Sequence, residues 1–314
     1  MNDASAGNDA SAGHAGLGRS IRFSAKDGLK LHARVWDAPG SQRPPVLCLA
    51  GLTRNSKDFQ DLAVALSSGP EARTVYALDG RGRGLSEHDS DWKNYSIPVE
   101  MQDVIDLATS QGLVGATLVG TSRGGLISML LAAVMPSVIG GVVLNDIGPV
   151  IEREGLTRIA GYAGRLPLPS TWDAATQLVA DMSKRQFPDV PDSHWAEAAR
   201  AWFNEKDGRP APGFDPAIAK SVSTVGTEIP ELWPQFQALT PFPLLVVRGE
   251  NSDILSAQTF ERMQEVHPNC AAITVRGQGH APLLKDQQTI RAVTAFVHAM
   301  EAGEKVAGRD FLTT

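Results

Sequence analysis

Short apolar runs rich in β-branched residues alternate with segments of helical periodicity along most of this chain. A parallel sheet requires this alternation, because the crossover between neighbouring strands is usually a helix. The sequence therefore predicts an α/β fold with a mostly parallel eight-stranded sheet and helices on both faces. The predicted strands cover residues 21–24, 29–35, 46–49, 74–78, 116–119, 141–144, 244–247 and 272–275. The predicted helices cover residues 56–67, 99–111, 123–134, 257–267 and 286–300.

One long stretch, residues 150–239, contains no convincing parallel strand but is rich in prolines, tryptophans and short amphipathic pieces. A disordered linker would not be so aromatic, so this stretch predicts a helical cap inserted after the sixth strand, over the carboxyl edge of the sheet. The core then consists of residues 21–149 and 240–302. Residues 1–20 contain a tandem repeat with hardly any large apolar side chain and predict a disordered tail, and residues 303–314 predict a loose, polar one.

Composition and charge limit the classes of partner that this chain is expected to bind. The net charge of −6 and the lack of a long Lys/Arg run argue against nucleic acid or an anionic membrane as the main partner. No stretch resembles a secretion signal or a bilayer-spanning segment, so the expected location is cytoplasmic. Cys48 and Cys270 are isolated in apolar runs and predict reduced core thiols. No metal-ligand spacing is present, and neither a metal nor a cofactor is expected. The sequence leaves open whether the chain forms a homo-oligomer.

The segment Gly120-Thr121-Ser122-Arg123-Gly124 joins a predicted buried strand to a predicted helix. A strand that enters a helix through so tight a turn strains the middle residue and lifts its hydroxyl clear of the sheet. Small flanking residues keep the turn free of clashes. A backbone amide just after the serine lies at a helix N-terminus, where developing negative charge is favoured. Ser122 is therefore the candidate nucleophile.

A serine nucleophile needs a base and an acid that orients the base. His280 lies in a glycine-flanked loop after the strand 272–275, and Asp253 lies in the loop after the strand 244–247. Both loops are at the carboxyl edge of the sheet, where Ser122 also lies. The order Ser122, Asp253, His280 is the chain order that goes with the nucleophile elbow. Asp253 is favoured as the acid, and Asp146, after the strand 141–144, and Glu250 remain alternatives.

Together these segments resemble an α/β-hydrolase of the lid-bearing, esterase-like kind. Two further motifs carry the resemblance, Leu49-Ala50-Gly51-Leu52-Thr53-Arg54-Asn55 after the third strand and Asp79-Gly80-Arg81-Gly82-Arg83-Gly84-Leu85-Ser86 after the fourth. The resemblance covers residues 21–300 and implies that the backbone amides of Leu52 and Arg123 form the oxyanion hole. Losing one such donor typically costs about 3 to 4 kcal/mol of transition-state stabilisation.

Two positions depart from the pattern of the family. Many relatives have histidine where this chain has Ala50, so any orientation that the imidazole supplies must come from elsewhere or is not needed. Many relatives also have a smaller or apolar residue where this chain has Arg123. The Arg123 guanidinium either anchors a substrate carboxylate or pairs with Asp146 or another acid behind the site, and the second role is favoured.

The sequence thus predicts a cofactor-independent serine hydrolase that cleaves a small or medium-sized hydrophobic carboxylic ester through an acyl-enzyme. A serine at the elbow disfavours the chemistries that need a carboxylate nucleophile, those of dehalogenases and epoxide hydrolases. Two alternatives remain, a carbon-carbon bond hydrolase of ring-cleavage diketones and a non-catalytic receptor with a capped pocket. About two of six cap aromatics are expected to contact substrate, the six being Tyr162, Trp172, Trp195, Trp202, Phe203 and Trp233.

Overall fold

The computed structural model describes residues 16, 18–165, 167–223 and 230–312. In these residues ten strands form one eight-stranded sheet and a separate hairpin. In chain order the strands are β1 (Arg19–Ser24), β2 (Lys30–Trp36), β3 (Val46–Leu49), β4 (Val75–Asp79), β5 (Ala116–Thr121), β6 (Ile139–Asn145), β7 (Asn204–Lys206), β8 (Arg209–Ala211), β9 (Leu244–Gly249) and β10 (Cys270–Val275). The predicted tail 1–20 lies mostly outside the described residues, but its end is wrong, because Arg19 and Ser20 pair with β2.

The large sheet has the strand order β1-β2-β4-β3-β5-β6-β9-β10. The strands from β4 to β10 along this order run parallel, whereas β2 is antiparallel to both β4 and β1. A hairpin around Asp27-Gly28 joins β1 to β2, and Gly28 adopts the positive φ of 93° that this turn needs. The prediction of a mostly parallel, eight-stranded sheet is confirmed.

Helices cover both faces of the sheet, as predicted. In chain order they are α1 (Gln60–Leu66), α2 (Ile97–Gln111), α3 (Arg123–Val134), α4 (Arg153–Tyr162), α5 (Trp172–Ser183), α6 (His194–Trp202), α7 (Ile218–Ser223), α8 (Trp233–Gln237), α9 (Ala257–Val266) and α10 (Gln287–Glu301). The strand side chains alternate between two apolar layers: Leu118 packs under α2 and α3, and its neighbour Val119 packs under α1 and α10. This two-sided burial fixes the strand register.

The insertion between β6 and β9 contains α4 to α8 and the hairpin of β7 and β8. Helices α5 and α6 share an apolar cluster of their own that includes Val179, Phe187 and Trp195. In contrast, Phe236 of α8 belongs to the apolar layer of the sheet. The part of the insertion nearest β9 therefore packs with the sheet, and α5 and α6 form a separate small core above it.

The C-terminal segment differs from the loose tail that its polarity suggests. Val306 and Phe311 are buried against the layer under α10, and the Phe311 ring meets Phe296 edge-on at 6.0 Å between centroids. Burial of these two apolar residues packs the otherwise polar segment against the core.

Both cysteines are free and buried, as predicted. No helix of the described residues is long and apolar enough to cross a membrane.

Candidate active site

The nucleophile elbow lies between β5 and α3. Ser122 has φ 52° and ψ −113°, a left-handed backbone that non-glycine residues rarely adopt. The two flanking glycines permit it. A Cβ on Gly124 would lie 2.1 Å from the Leu49 carbonyl oxygen, and one on Gly120 would lie 2.6 Å from the Gly125 nitrogen. The glycines allow β3, β5 and α3 to approach closely enough to hold the strained turn.

The Ser122 side chain contacts the His280 ring. Ser122 Oγ lies 2.9 Å from His280 Nε2, and His280 Nδ1 lies 2.8 Å from Asp146 Oδ2. The His280 side chain is only 7% exposed and that of Asp146 is fully buried. Because a carboxylate only accepts hydrogen bonds, Nδ1 carries the proton and Nε2 is left as the acceptor for the serine hydroxyl. This chain of two hydrogen bonds can move a proton from the alcohol to the imidazole.

The acid beside His280 is thus Asp146, which directly follows β6. Its carboxylate also accepts hydrogen bonds from the Gly249 amide at 2.8 Å and from the Ser252 hydroxyl at 2.6 Å. Both donors lie at the end of β9 or just after it, and β9 is the neighbour of β6 in the sheet. These three donors fix the carboxylate plane and with it the orientation of the imidazole.

The sequence favours Asp253 as the acid, and this prediction is wrong, because His280 contacts Asp146 instead. The Asp253 carboxylate forms a two-point ion pair with Arg158 of α4, at 2.6 Å to Nε and 2.8 Å to Nη2. Burial alone would raise the pKa of Asp253, but hydrogen bonds from Arg158 and Gln186 outweigh it and hold the pKa below its ordinary value. Asp253 therefore links the loop after β9 to the insertion. Glu250, the third candidate, accepts from the Gly277 amide at 2.9 Å and supports the loop that carries His280.

The two residues implied for the oxyanion hole flank the nucleophile. Leu52 lines the same cavity as Ser122, and Arg123 begins α3. Neither backbone amide donates to an acceptor among the described residues. The Leu52 carbonyl accepts a hydrogen bond from the buried Arg83 guanidinium. Arg83 thereby fixes the Leu52–Thr53 peptide, which adjoins the Gly51–Leu52 peptide that carries the Leu52 amide, and so anchors a loop in which Ala50 has no imidazole to do so.

The Arg123 side chain points away from the nucleophile and pairs with an acid other than Asp146. Its guanidinium holds both oxygens of Glu100 at 2.6 and 2.9 Å. Glu100 also pairs with Arg83 at 3.1 Å. Burial alone would raise the pKa of Glu100, but Arg123 and Arg83 outweigh it and lower the pKa. One buried carboxylate therefore joins the residue after the nucleophile to the arginine that holds the oxyanion loop.

A cavity of about 240 Å³ opens over Ser122 and His280. Three of the six cap aromatics named as candidates line this cavity, namely Tyr162, Trp195 and Trp202. The other three are no part of the wall that the described residues form, so these three positions are wrong as candidates for the pocket, whereas the expected number of about two substrate contacts stays a prediction. Trp172 donates to the Gly208 carbonyl at 3.0 Å, Trp233 packs edge-on against Phe236, and Phe203 packs against the cluster of α5 and α6.

One face of α6 forms a wall of this cavity, through His194, Trp195, Ala198, Ala201 and Trp202. Helical spacing places these five positions together. Burial lowers the pKa of the His194 imidazole and Lys285 lowers it further, so the ring is neutral at pH 7. The polar surroundings of His194 in the sequence favour a surface or satisfied-core role, although its position four and eight residues before Ala198 and Trp202 is a signal for this shared helix face.

The C-terminal end of α6 is attached to the oxyanion loop. Asn55 Nδ2 donates to the Ala201 carbonyl at 2.9 Å, and Lys57 Nζ donates to the carbonyls of Arg200 and Phe203 at 2.7 and 2.6 Å. A cation and an amide thus satisfy carbonyls that the end of the helix leaves without partners. The same short segment of chain carries Leu52 on one side and supports the cavity wall on the other.

Known proteins share this architecture. The model of the alpha/beta hydrolase family matches residues 46–292, from β3 to α10. The chain belongs to the alpha/beta hydrolase family. Its fold is similar to the crystal structure of an alpha/beta hydrolase from Novosphingobium aromaticivorans, with a TM-score of 0.83 and 38% identity over 91% of this chain and 99% of that one.

Two curated members of the family show the range of its relatives. The 3-hydroxybutyrate-oligomer hydrolase of Cupriavidus necator is 29% identical over 83% of this chain and 90% of its own length. The sn-1-specific diacylglycerol lipase ABHD11 of Mus musculus is 37% identical over 81% of each chain. With this family and these relatives, the chain is a hydrolase.

Proposed function

We propose that this hydrolase cleaves a small or medium-sized, largely apolar carboxylic ester through a covalent acyl-enzyme. The observation that carries the proposal is the continuous hydrogen-bond chain from Ser122 Oγ through the His280 ring to Asp146, at 2.9 and 2.8 Å. Its order and its distances are those required for a base-activated alcohol nucleophile. The relatives named above are an oligomer hydrolase and a lipase, names in keeping with ester chemistry.

In the proposed mechanism Ser122 Oγ attacks the ester carbonyl while His280 Nε2 takes the hydroxyl proton. The negative charge that develops on the carbonyl oxygen is held by the amides of Leu52 and Arg123. Collapse of the tetrahedral intermediate breaks the bond to the leaving alcohol, and His280 returns its proton to that alcohol. Asp146 stabilises the imidazolium between these steps. Water then attacks the acyl-enzyme by the same route and releases the acid.

The cavity supports a small substrate with apolar parts. Its volume is about 240 Å³, below the usual range for pockets that hold drug-sized ligands. Tyr162, Trp195 and Trp202 line it, next to aliphatic residues. Such a wall favours short acyl or alcohol groups over long lipid chains.

The test is a hydrolysis screen of acetyl to octanoyl esters, with Ser122→Ala as the blank and a fluorophosphonate probe as an independent label. We expect turnover of the shorter esters, stoichiometric labelling of Ser122 and no labelling of the variant. A ring-cleavage diketone in the same screen tests carbon-carbon hydrolysis. Activity retained by Ser122→Ala would refute the mechanism, and labelling without turnover of any ester would refute the substrate class.

A further inference from the structure

We infer that Arg54 forms a subsite for a carboxylate, so that the preferred substrate is an ester that carries a second, ionised carboxyl group a few atoms from the scissile carbonyl. This inference rests on the proposed ester hydrolysis and names its substrate class. Arg54 belongs to the loop after β3, two residues beyond Leu52, and it lines the cavity above Ser122.

The position of Arg54 is defined by the backbone next to the nucleophile. A Cβ built on Gly51 would lie 3.6 Å from Arg54 Cγ and 3.8 Å from Ser122 Cβ. The arginine side chain therefore starts beside the nucleophile. Its guanidinium carbon stacks over the Trp202 ring at 4.4 Å from the centroid, which extends the side chain along the cavity wall.

The guanidinium of Arg54 has spare hydrogen-bonding capacity. Two of its nitrogens, Nε and Nη2, bind the Asp58 carboxylate. The third, Nη1, is buried and has no acceptor in the part of the chain that the structure describes. A buried cationic donor without an acceptor is costly, and a carboxylate oxygen is the ligand that best satisfies it. Asp58 holds the guanidinium in place, so little side-chain freedom is lost when such a ligand binds.

Two more side chains that line the cavity each have a nitrogen without a partner among the described residues. His194 Nε2 and Trp195 Nε1 are buried and lack a partner among the described residues. The indole nitrogen is a donor, and the neutral imidazole donates or accepts according to its tautomer. Both belong to the face of α6 that lines the cavity. An acceptor-rich group in the cavity would satisfy donors that the protein itself leaves open.

The charge of the wall selects a carboxylate over a neutral acceptor. The described lining residues include three cations, Arg54, Arg158 and Lys285, and one carboxylate outside the nucleophile's own hydrogen-bond chain, Asp58. Arg158 is already paired with Asp253, and Lys285 Nζ lies 3.7 Å from the carboxylate of Asp61 and 3.8 Å from that of Glu197, close enough for ion pairs but not for hydrogen bonds. Each of these cations thus has an acid near it, and Arg54 Nη1 is the buried cationic donor of this wall that still lacks an acceptor among the described residues; a charge-assisted hydrogen bond there favours an anionic ligand over a neutral one.

The experiment compares matched substrates, because a ratio of kcat/KM values cancels any general effect on catalysis. Ethyl hydrogen glutarate and ethyl hydrogen adipate place the carboxylate in the acyl part, with ethyl pentanoate and ethyl hexanoate as neutral esters of equal chain length. Sodium 4-acetoxybutanoate places it in the alcohol part, with butyl acetate as its neutral match. We expect at least one pair to favour the anionic ester by about 10- to 100-fold, the effect of a hydrogen bond to a charged group.

Variants of Arg54 assign the preference to this residue. In Arg54→Gln the ratio should fall to about one, and in Arg54→Lys it should keep only part of its value, because an ammonium cannot bind Asp58 and a substrate in the same fork geometry. Arg54→Gln also leaves Asp58 without its partner, and the carboxylate could then repel an anion. The double variant Arg54→Gln/Asp58→Asn removes this effect. A ratio that stays low in the double variant supports the anchor, and a ratio that recovers overturns it.

The failure of this inference is distinct from failure of the proposed function. If the wild-type protein hydrolyses the neutral esters and shows no preference within any pair, the carboxylate subsite is wrong and the ester hydrolase stands. If it labels with fluorophosphonate but hydrolyses neither member of any pair nor any ester of the screen, the proposed substrate class fails first. A preference that Arg54→Gln leaves unchanged also overturns the subsite.

Discussion

The two aspartates at the carboxyl ends of β6 and β9 are predicted to have separable effects when each is changed to asparagine. Asp146 accepts hydrogen bonds from three donors, the Gly249 amide, the Ser252 hydroxyl and His280 Nδ1. Asparagine keeps one oxygen acceptor and places an amide donor where the other oxygen was. If that amide faces His280, the ring takes the opposite tautomer, with its proton on Nε2 towards Ser122, and the imidazole can no longer act as the base.

For Asp146→Asn we therefore expect kcat to fall by about 10⁴-fold, the loss known for the wrong imidazole tautomer in a serine-histidine-aspartate arrangement. This corresponds to about 5 kcal/mol in activation free energy. For Asp253→Asn we expect kcat to stay within about threefold, because Asp253 pairs with Arg158 and makes no hydrogen bond to His280 among the described contacts. Its cost should appear in stability, at about 1 to 2 kcal/mol for a pair that is only partly buried.

The assay measures kcat and KM on the best ester of the screen and urea denaturation midpoints for the wild type and both variants. Circular dichroism verifies that Asp146→Asn is folded before its rate is interpreted. The reasoning is refuted if Asp253→Asn loses about 10⁴ in kcat while Asp146→Asn stays within tenfold of the wild type. Equal, small losses in both variants would also refute it, because no acid would then be needed beside His280.

Gly124→Ala should destabilise the protein by about 3 kcal/mol or more, since the new Cβ would lie 2.1 Å from the Leu49 carbonyl oxygen. Gly161→Ala in α4 should instead stabilise the protein by about 0.5 to 1 kcal/mol, because a Cβ there meets nothing within 4 Å. Urea denaturation tests both variants. Arg83→Met removes the donor that holds the oxyanion loop and should lower kcat by about tenfold or more with a smaller change in KM, as steady-state kinetics would show. The lowered pKa of Asp253 means that its charge stabilises the fold above about pH 4 and that this contribution is lost as the pH falls through the lowered value. The difference in unfolding free energy between the wild type and Asp253→Asn should therefore be constant near neutral pH and shrink towards pH 2, and a difference that grows on acidification would contradict the assigned charge state.

Local pattern was enough to place the main elements of the core. The strand 46–49 and the helix 123–134 have the predicted bounds, because each is a clear apolar segment with a turn signal at both ends. Ser122 and His280 both stand out in the sequence by their glycine-flanked positions after strands. Asp146, Glu250 and Asp253 all follow predicted strands, so position after a strand does not identify which of them is the acid.

The choice between Asp146 and Asp253 depends on strand order, which is a property of the whole sheet. β6 lies directly beside β5, the strand that carries Ser122, and β9 is one strand further away. Asp146 also follows its strand at once, whereas Asp253 comes four residues after Gly249 and reaches the insertion instead. Neither the strand order nor the presence of Arg158 opposite Asp253 can be read from residue spacing.

The cap was predicted from its aromatic content, but the content does not tell which rings face the cavity. Trp195 and Trp202 do so because they share one face of α6, whereas Trp172 begins another helix and packs elsewhere. The buried end of the chain was missed for a related reason. Val306 and Phe311 are single apolar residues among polar ones, and no periodic pattern marks them.

The attachment of α6 to the segment of Asn55 and Lys57 has a consequence for attempts to alter selectivity. If this helix is displaced to admit a substrate too large for the present cavity, the displacement would pull on the segment that carries Leu52, the residue proposed to hold the oxyanion. Changes of side chain on the inner face of α6 should leave the position of that segment unchanged. Changes that move the whole helix should widen the substrate range but lower kcat. Variant libraries that change the inner face of α6 and keep its contacts with Asn55 and Lys57 should therefore widen the substrate range without a loss in kcat.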